Sequence, residues 1–311
     1  AKANWAGTNG IAYDSKGNLY VSGWEEFGYD DDNSNAGGNG FITKFDTQGA
    51  VVWNKYIMMD GYTNGGGVVV DGDDNVAAVT FDWDNDFFVV TKLDSDGTLV
   101  WQKTYVDSYD YSNGVTLAVD SNNDFVINGV RVDENTSNHM SMFALKISGF
   151  DGSVLWENSF GTSNDNMANP CMTIDGDNNI ILAGWAAPWG ANKVFVAKMS
   201  SVGTVVWQRY IENYQDGSYD MEVGSIDSDD MGNLYFVGSF SVPNLVQDLH
   251  GDYDNGQAGQ IIKLDSSGVV QWSRLVGPGD CSDMGAQAIY KDGRLYAMFQ
   301  TERKYYKKDH V

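Results

Sequence analysis

Phe41-Ile-Thr-Lys-Phe-Asp-Thr-Gln-Gly-Ala-Val-Val-Trp53 reads as two apolar runs joined by a polar turn, with lysine near the end of the first and tryptophan closing the second. Short apolar runs around an Asp/Gln/Gly turn form a β-hairpin. The phrase recurs four more times. Val89-Val-Thr-Lys92 leads to Gly97-Thr-Leu-Val-Trp101, and Phe143-Ala-Leu-Lys146 to Gly152-Ser-Val-Leu-Trp156. Phe195-Val-Ala-Lys198 leads to Gly203-Thr-Val-Val-Trp207, and Gln260-Ile-Ile-Lys263 to Gly268-Val-Val-Gln-Trp272. A self-similar unit of about fifty residues is the mark of a repeat architecture.

A second hairpin precedes each phrase. Ile11-Ala-Tyr-Asp14 turns to Asn18-Leu-Tyr-Val-Ser-Gly23, Leu117-Ala-Val-Asp120 to Asp124-Phe-Val-Ile-Asn-Gly129, and Met172-Thr-Ile-Asp175 to Asn179-Ile-Ile-Leu-Ala-Gly184. Matching turns are read after Asp71, Asp227 and Tyr290. Each unit therefore has four short antiparallel strands, a to d, which is one blade of a β-propeller. The predicted fold is all-β: a six-bladed β-propeller forming a single domain over residues 1–311. Blades are expected at 9–57, 63–105, 112–160, 166–211, 221–276 and 284–311. The last unit lacks a glycine-to-tryptophan phrase, and Trp5 follows Ala1 at the offset that separates Trp53 from Gly49. The N-terminal strand, 1–7, is therefore expected to complete the sixth blade. A lone sheet of this kind cannot bury both faces, so the periodic tryptophans are assigned to blade-to-blade core.

The chain has 43 acidic and 19 basic residues, a formal charge of −24. Such a surface repels the phosphates of nucleic acid and anionic lipid. No apolar run approaches the length of a membrane span. Cys171 and Cys281 make no disulfide framework. No signal peptide is visible and the first residue is Ala, as expected of a processed chain or an excised piece.

Alternating strand direction puts the a–b and c–d turns on one face, and the b–c loops and d–a connections on the other. The turns are uniform. The loops vary, and are rich in acids and aromatics; variable loops on a rigid scaffold are where binding is expected. Trp24, Tyr29, Trp83, Tyr109, Tyr111, Trp185, Trp189, Tyr219 and Tyr253 are the candidate partner-binding residues, because exposed rings anchor a protein or stack on sugar. Asp82, Asp84 and Asp86 space carboxylates at alternate positions and are the candidate calcium ligands; no other cofactor is required. There is no Gly-x-Ser-x-Gly, His-Glu-x-x-His or phosphate loop. His139, His250 and His310 are scattered. No catalytic residue is assigned, and the chain is expected not to be an enzyme. Among so many acids, a carboxylate pair for glycoside hydrolysis cannot be recognised by spacing.

Asp14-Ser-Lys-Gly-Asn-Leu-Tyr-Val-Ser-Gly23 together with Phe41 to Trp53 resembles the bacterial and phage β-propeller repeat family (SBBP-like repeats). Such repeats occur in secreted and surface bacterial proteins, and are similar to those in virion structural proteins of marine cyanophages. The resemblance covers nearly the whole chain. It departs at Thr80, which stands where strand b has glycine, and in the sixth unit. It implies the propeller fold and a place outside the cell or on a virion surface, with protein partners in a larger assembly or a surface glycan. The leading expectation is thus a non-catalytic structural or interaction module, a virion component such as a phage tail, fibre or other receptor-binding appendage. A glycan-binding bacterial adhesin and a carboxylate-dependent glycan-active enzyme are the alternatives.

Overall fold

The computed structural model describes residues 5–27, 37–57, 63–82, 87–106, 110–133, 139–161, 166–187, 193–211, 221–247, 253–276 and 282–302. The chain divides into two compact units, Ala1–Ser163 and Asn164–Val311. In the first unit, blade one comprises β1 (Trp5–Tyr13), β2 (Leu19–Phe27), β3 (Gly37–Phe45) and β4 (Val51–Ile57). Blade two comprises β5 (Thr63–Val70), β6 (Val76–Asp82), β7 (Phe87–Leu93) and β8 (Leu99–Val106). Blade three comprises β9 (Asp110–Val119), β10 (Phe125–Asp133), β11 (His139–Ile147) and β12 (Val154–Phe160). In the second unit, blade four comprises β13 (Met167–Ile174), β14 (Ile180–Ala186), β15 (Lys193–Met199) and β16 (Val205–Ile211). Blade five comprises β17 (Met221–Ser228), β18 (Leu234–Gln247), β19 (Tyr253–Leu264) and β20 (Val270–Val276). The sixth is the hairpin of β21 (Ser282–Lys291) and β22 (Arg294–Glu302). Each full blade pairs its strands antiparallel in chain order. The fold class is a six-bladed β-propeller.

Three expectations shift. Trp5 to Thr8 pair with Glu26 to Gly23 as the outer half of β1, instead of entering the sixth blade. A register shift between Thr8 and Gly10 lets β1 continue along β2. Blade five folds much of its supposed loop into strand, with Gln247 still paired to Tyr253. The turn aspartate of that blade is Asp229, not Asp227.

The turns explain the aspartates. Asp14 Oδ1 accepts from the amides of Lys16 and Asn18. Asp71, Asp120, Asp175 and Asp229 cap their a–b turns in the same way. A side-chain oxygen thus satisfies two amides that the tight turn leaves without ladder partners.

These a–b aspartates are buried, and each meets the lysine of its own strand c. Lys92–Asp71 and Lys146–Asp120 close to 2.7 Å, and Lys198–Asp175 to 2.8 Å. In blades one and five the distances open to 3.4 and 3.9 Å. There, Tyr20 and Tyr235 stand opposite the lysine, their hydroxyls on the aspartate. Each lysine lies 5.0 Å from the ring centroid. The tyrosine shares the carboxylate and gives the ammonium a π face in exchange.

The lysine also reaches forward. Lys44 Nζ donates to Ser95 O at 2.9 Å, and the Trp53 indole donates to the same oxygen at 3.2 Å. Lys92 and Trp101 converge likewise on Gly149 O, at 2.9 and 3.1 Å. In the second unit, Trp207 donates to Ser266 O at 3.1 Å. Each acceptor is a carbonyl in the c–d turn of the following blade. The turn glycine lies beneath the ring: a Cβ on Gly97 would come within 3.0 Å of Trp53, and the Gly97 φ of 80° disfavours any side chain. With Gly152 against Trp101 and Gly268 against Trp207, the Gly–Trp phrase is in three seams an inter-blade contact, the glycine of one blade seating the tryptophan of the one before.

Between blades the core is apolar, and alternate residues of one strand feed different seams. Val76 and Ala78 of β6 join Tyr20 and Ile42 of blade one. Ala77, Val79 and Phe81 join Phe125 and Phe143 of blade three. Every residue of β6 is buried.

Removing one member of a buried ion pair strands the other charge, at a cost of about 3–5 kcal/mol. Lys92→Met should therefore lower the urea midpoint far more than Lys16→Met, whose ammonium is exposed. Burial alone would push the carboxyls of Asp71 and Asp175 up, but hydrogen bonds from their lysines and asparagines outweigh it and hold them below the usual range. Asp14 and Asp229 are lowered too, again against burial, by their turn hydrogen bonds. Lowered carboxyls contribute stability that is present above their unfolded values and lost as pH falls through the folded ones. Urea midpoints measured downward from neutral pH should hold, then drop below the ordinary aspartate range. The drop should be smaller in Asp71→Asn, which starts from a lower midpoint.

Candidate functional site

The loop ends of the second strands carry the groups that chemistry could use. Counting from the strand-b glycine position, blade one reads Gly23-Trp24-Glu25, blade two Thr80-Phe81-Asp82, blade three Gly129-Val130-Arg131 and blade four Gly184-Trp185-Ala186.

Trp24 sits in a row with glycine on both sides, paired to Gly7 in β1 and to Gly40 in β3. Its indole lies over Gly7, where a Cβ would come within 2.7 Å of Nε1. Directly paired residues share a face of the sheet. Gly40 meets the methyl of Thr80, at 2.3 Å from where its own Cβ would be. That fixes the side: Trp24 faces blade two. Asp82 lies two residues beyond Thr80 on an unbroken β6, so it faces blade one. Trp24 and Asp82 thus share one seam, in which Gly7 and Gly40 present no side chain. Asp82 is fully buried, and Trp24 is half-buried. Glu25 faces the other way and accepts from the Tyr56 hydroxyl at 3.3 Å.

Thr80 also explains why blade two breaks the repeat. In blades one and three the strand-b glycine leaves room for a strand-c phenylalanine, Phe41 over Gly23 and Phe143 over Gly129. In blade two both partners change together, to Thr80 and Val89. The space above Gly40 is then filled from blade two.

Blade three places Arg131 at the position of Asp82. Its guanidinium lies 4.8 Å from the Phe143 ring centroid and pairs with Glu157. Phe143 stacks on Phe88, and Phe88 on Tyr105. Tyr105 donates to Gly152 O at 2.6 Å, and burial followed by the Asp151 charge raises its pKa. This column is inter-blade packing, and it accounts for the arginine. Cys171 is buried and its thiol is pushed up to about 12, so it is no nucleophile.

Of the sequence candidates, the structure places Trp24, a candidate partner-binding residue, and Asp82, a candidate calcium ligand, on the same seam. Trp185 occupies the position of Trp24 in blade four but pairs with Ala168 and Val194, not glycines. Tyr111 and Tyr253, expected in loops, fall in β9 and β19, because those strands extend further toward the loop face. Tyr29, Trp83, Tyr109, Trp189, Tyr219, Asp84 and Asp86 lie outside the described residues. Among the described residues, no three His, Cys, Asp or Glu side chains are grouped to hold a metal ion. The sequence reading missed Gly7, Gly40 and Thr80 as parts of one site. The signal was there in the run Gly37-Gly-Asn-Gly40 and in the exceptional threonine.

Fold and seam together define a β-propeller with a carboxylate and an aromatic plate at the loop end of adjacent blades. No family model and no curated protein matches the chain. Among solved structures it is similar to a protein of unknown function from Dyadobacter fermentans, with 8% identity over 97% of this chain and 94% of that one and a TM-score of 0.57. It is also similar to an α-L-arabinofuranosidase of Fusarium graminearum. A point variant of that enzyme bound to an iminosugar inhibitor matches with 9% identity, 67% of this chain, 65% of that one and a TM-score of 0.51. The same enzyme with arabinobiose gives 8%, 67%, 65% and 0.50. This chain spans about two thirds of the enzyme's length. At such identities the likeness shows the fold.

It also corrects the expectation of a non-catalytic virion appendage. That expectation leaned on the lack of a local catalytic motif, and the fold's neighbours include a glycoside-active enzyme. Carboxylates drawn from the strand ends of different blades leave no fixed spacing along a chain, so the missing motif does not mark a non-enzyme.

Gly7→Ala should displace the Trp24 ring. With 5-fluorotryptophan incorporated, the ¹⁹F resonance that disappears in Trp24→Phe should move in Gly7→Ala while the other tryptophan signals stay.

Proposed function

We propose that this chain is a glycan-active enzyme whose chemistry depends on carboxylates at the loop ends of blades one and two. The observation that carries the reading is that Asp82 and Trp24 face the same seam, in which Gly7 and Gly40 present no side chain. Glycoside cleavage needs one carboxyl group to protonate the leaving oxygen and a second to act from the other side of the sugar ring. Asp82 supplies one. The second would be drawn from the acids of the sequence segments 28–36 and 83–86, which hold Asp30, Asp31, Asp32, Asp84 and Asp86. Trp24 offers a flat apolar face for a sugar ring. The arabinofuranosidase named above supports the reading by analogy of fold, which is a weaker warrant than the site itself.

Sugar release from arabinan, arabino-oligosaccharides and a panel of pentose and hexose glycans tests it. Asp82→Asn should lower kcat/KM by about 10²–10⁴-fold, the usual share of one acid–base group, with the melting temperature of the variant checked alongside. Trp24→Ala should act mainly on KM. No turnover on any glycan of the panel would overturn the proposal.

A further inference from the structure

The a–b turn of blade three departs from its counterparts by one residue type. Blades one, two, four and five close this turn with Asn18, Asn75, Asn179 and Asn233, whereas blade three has Asp124. Each asparagine donates a side-chain N–H to its turn aspartate. A carboxylate has no such hydrogen to give. Asp124 Oδ1 instead accepts from the Gly149 amide at 3.1 Å, and its Oδ2 lies 3.6 Å from Lys146 Nζ. Lys146 Nζ therefore has two carboxyl groups beside it, Asp124 and, at 2.7 Å, Asp120 Oδ2. Charge balance alone would be served by the asparagine of the other blades.

Lys146 and Asp120 are buried, 4% and 6% exposed. The other oxygen of Asp120, Oδ1, accepts from the amides of Asn122 and Asp124 at 2.9 and 3.0 Å. The turn thus holds a lysine nitrogen one bond from a carboxyl carbon. It also holds two N–H donors on the oxygen where negative charge would develop, and a second carboxyl to move protons. Those are the parts that acyl transfer to an amine requires.

We propose that blade three cross-links itself, Lys146 Nζ and Asp120 Cγ condensing to an isopeptide bond with Asp124 as proton carrier. Asp124 takes a proton from the ammonium and frees the nitrogen lone pair. Nζ bonds to Cγ, and the carbonyl electron pair moves onto Oδ1 between its two amides. When that pair returns, the Cγ–Oδ2 bond breaks. Nζ keeps one of its three hydrogens, the other two leave with Oδ2 as water, and Asp124 is returned as a carboxylate. The reaction needs no oxidant and no co-reactant. Holding the two groups in contact makes the step effectively unimolecular, and burial keeps bulk water from the product. The bond would join strand c of blade three to its a–b turn.

Mass spectrometry of the denatured 1–311 chain tests it. The intact mass should fall about 18 Da below that of the sequence, one water lost to a covalent modification. Trypsin should fail at Lys146 and yield a branched peptide joining residues 104–131 to 132–193. Lys146→Met should abolish both signals. Asp124→Asn restores the residue of the other blades; it should keep the circular dichroism of the fold and slow the water loss by about 10²-fold or more, the usual share of one acid–base group. A chain of full mass that trypsin cuts at Lys146 after long incubation at neutral pH would show an ion pair only and overturn the proposal. So would a water loss that leaves Lys146 open to trypsin, as a succinimide at Asp151-Gly152 would, or a branched peptide formed just as fast in Asp124→Asn.

Discussion

In three seams, one–two, two–three and four–five, a single backbone carbonyl ties neighbouring blades together. In the c–d turn of each following blade so resolved, that oxygen receives the indole N–H of the preceding blade's tryptophan, and in blades two and three also the preceding lysine ammonium. The lysine is itself neutralised by the aspartate that caps its own a–b turn. A tight turn, a buried charge and an inter-blade seam are thereby one connected network. A buried lysine without the aspartate would be expensive, and the aspartate without its turn amides would be undercompensated.

Because this network lies at the turn face, the opposite end of each blade is relieved of holding the fold together. That is where the repeat admits exceptions. Thr80 replaces a glycine and fills the space over Gly40, and on the same face of β6 comes Asp82, buried in the seam that Trp24 faces from blade one. Arg131, at the matching position one blade on, is instead absorbed by Glu157 and Phe143. One strand position thus yields a candidate reactive group in one blade and packing in the next, according to what the neighbouring blade offers.

The turn face was legible in the sequence, because its contacts are local and repeated. Aspartate, lysine, glycine and tryptophan recur at fixed offsets, and each has one physical task. The seam was less legible. Trp24 and Asp82 are far apart in the chain, and which face of a strand each uses depends on a register that only the paired structure fixes. The end of the molecule was misjudged for a related reason. The offset between Ala1 and Trp5 mimics that between Gly49 and Trp53, but β1 gains more by continuing along β2, where its hydrogen bonds have partners at once. The turn of blade five was misplaced by two residues, since Asp227 and Asp229 are both turn formers and only the amides of Met231 and Asn233 decide between them.

The acceptor of each latch is main chain. Ser95, Gly149 and Ser266 share no side chain, yet each offers the same oxygen in the same turn. A blade therefore need not know the identity of the residue it grips, provided the next turn is folded and its glycine is in place. Blades joined in this way are interchangeable parts. At these three junctions an exchange of whole repeat units would keep the latch's donor and acceptor in place, so the loops of a unit can vary without the latch being reinvented.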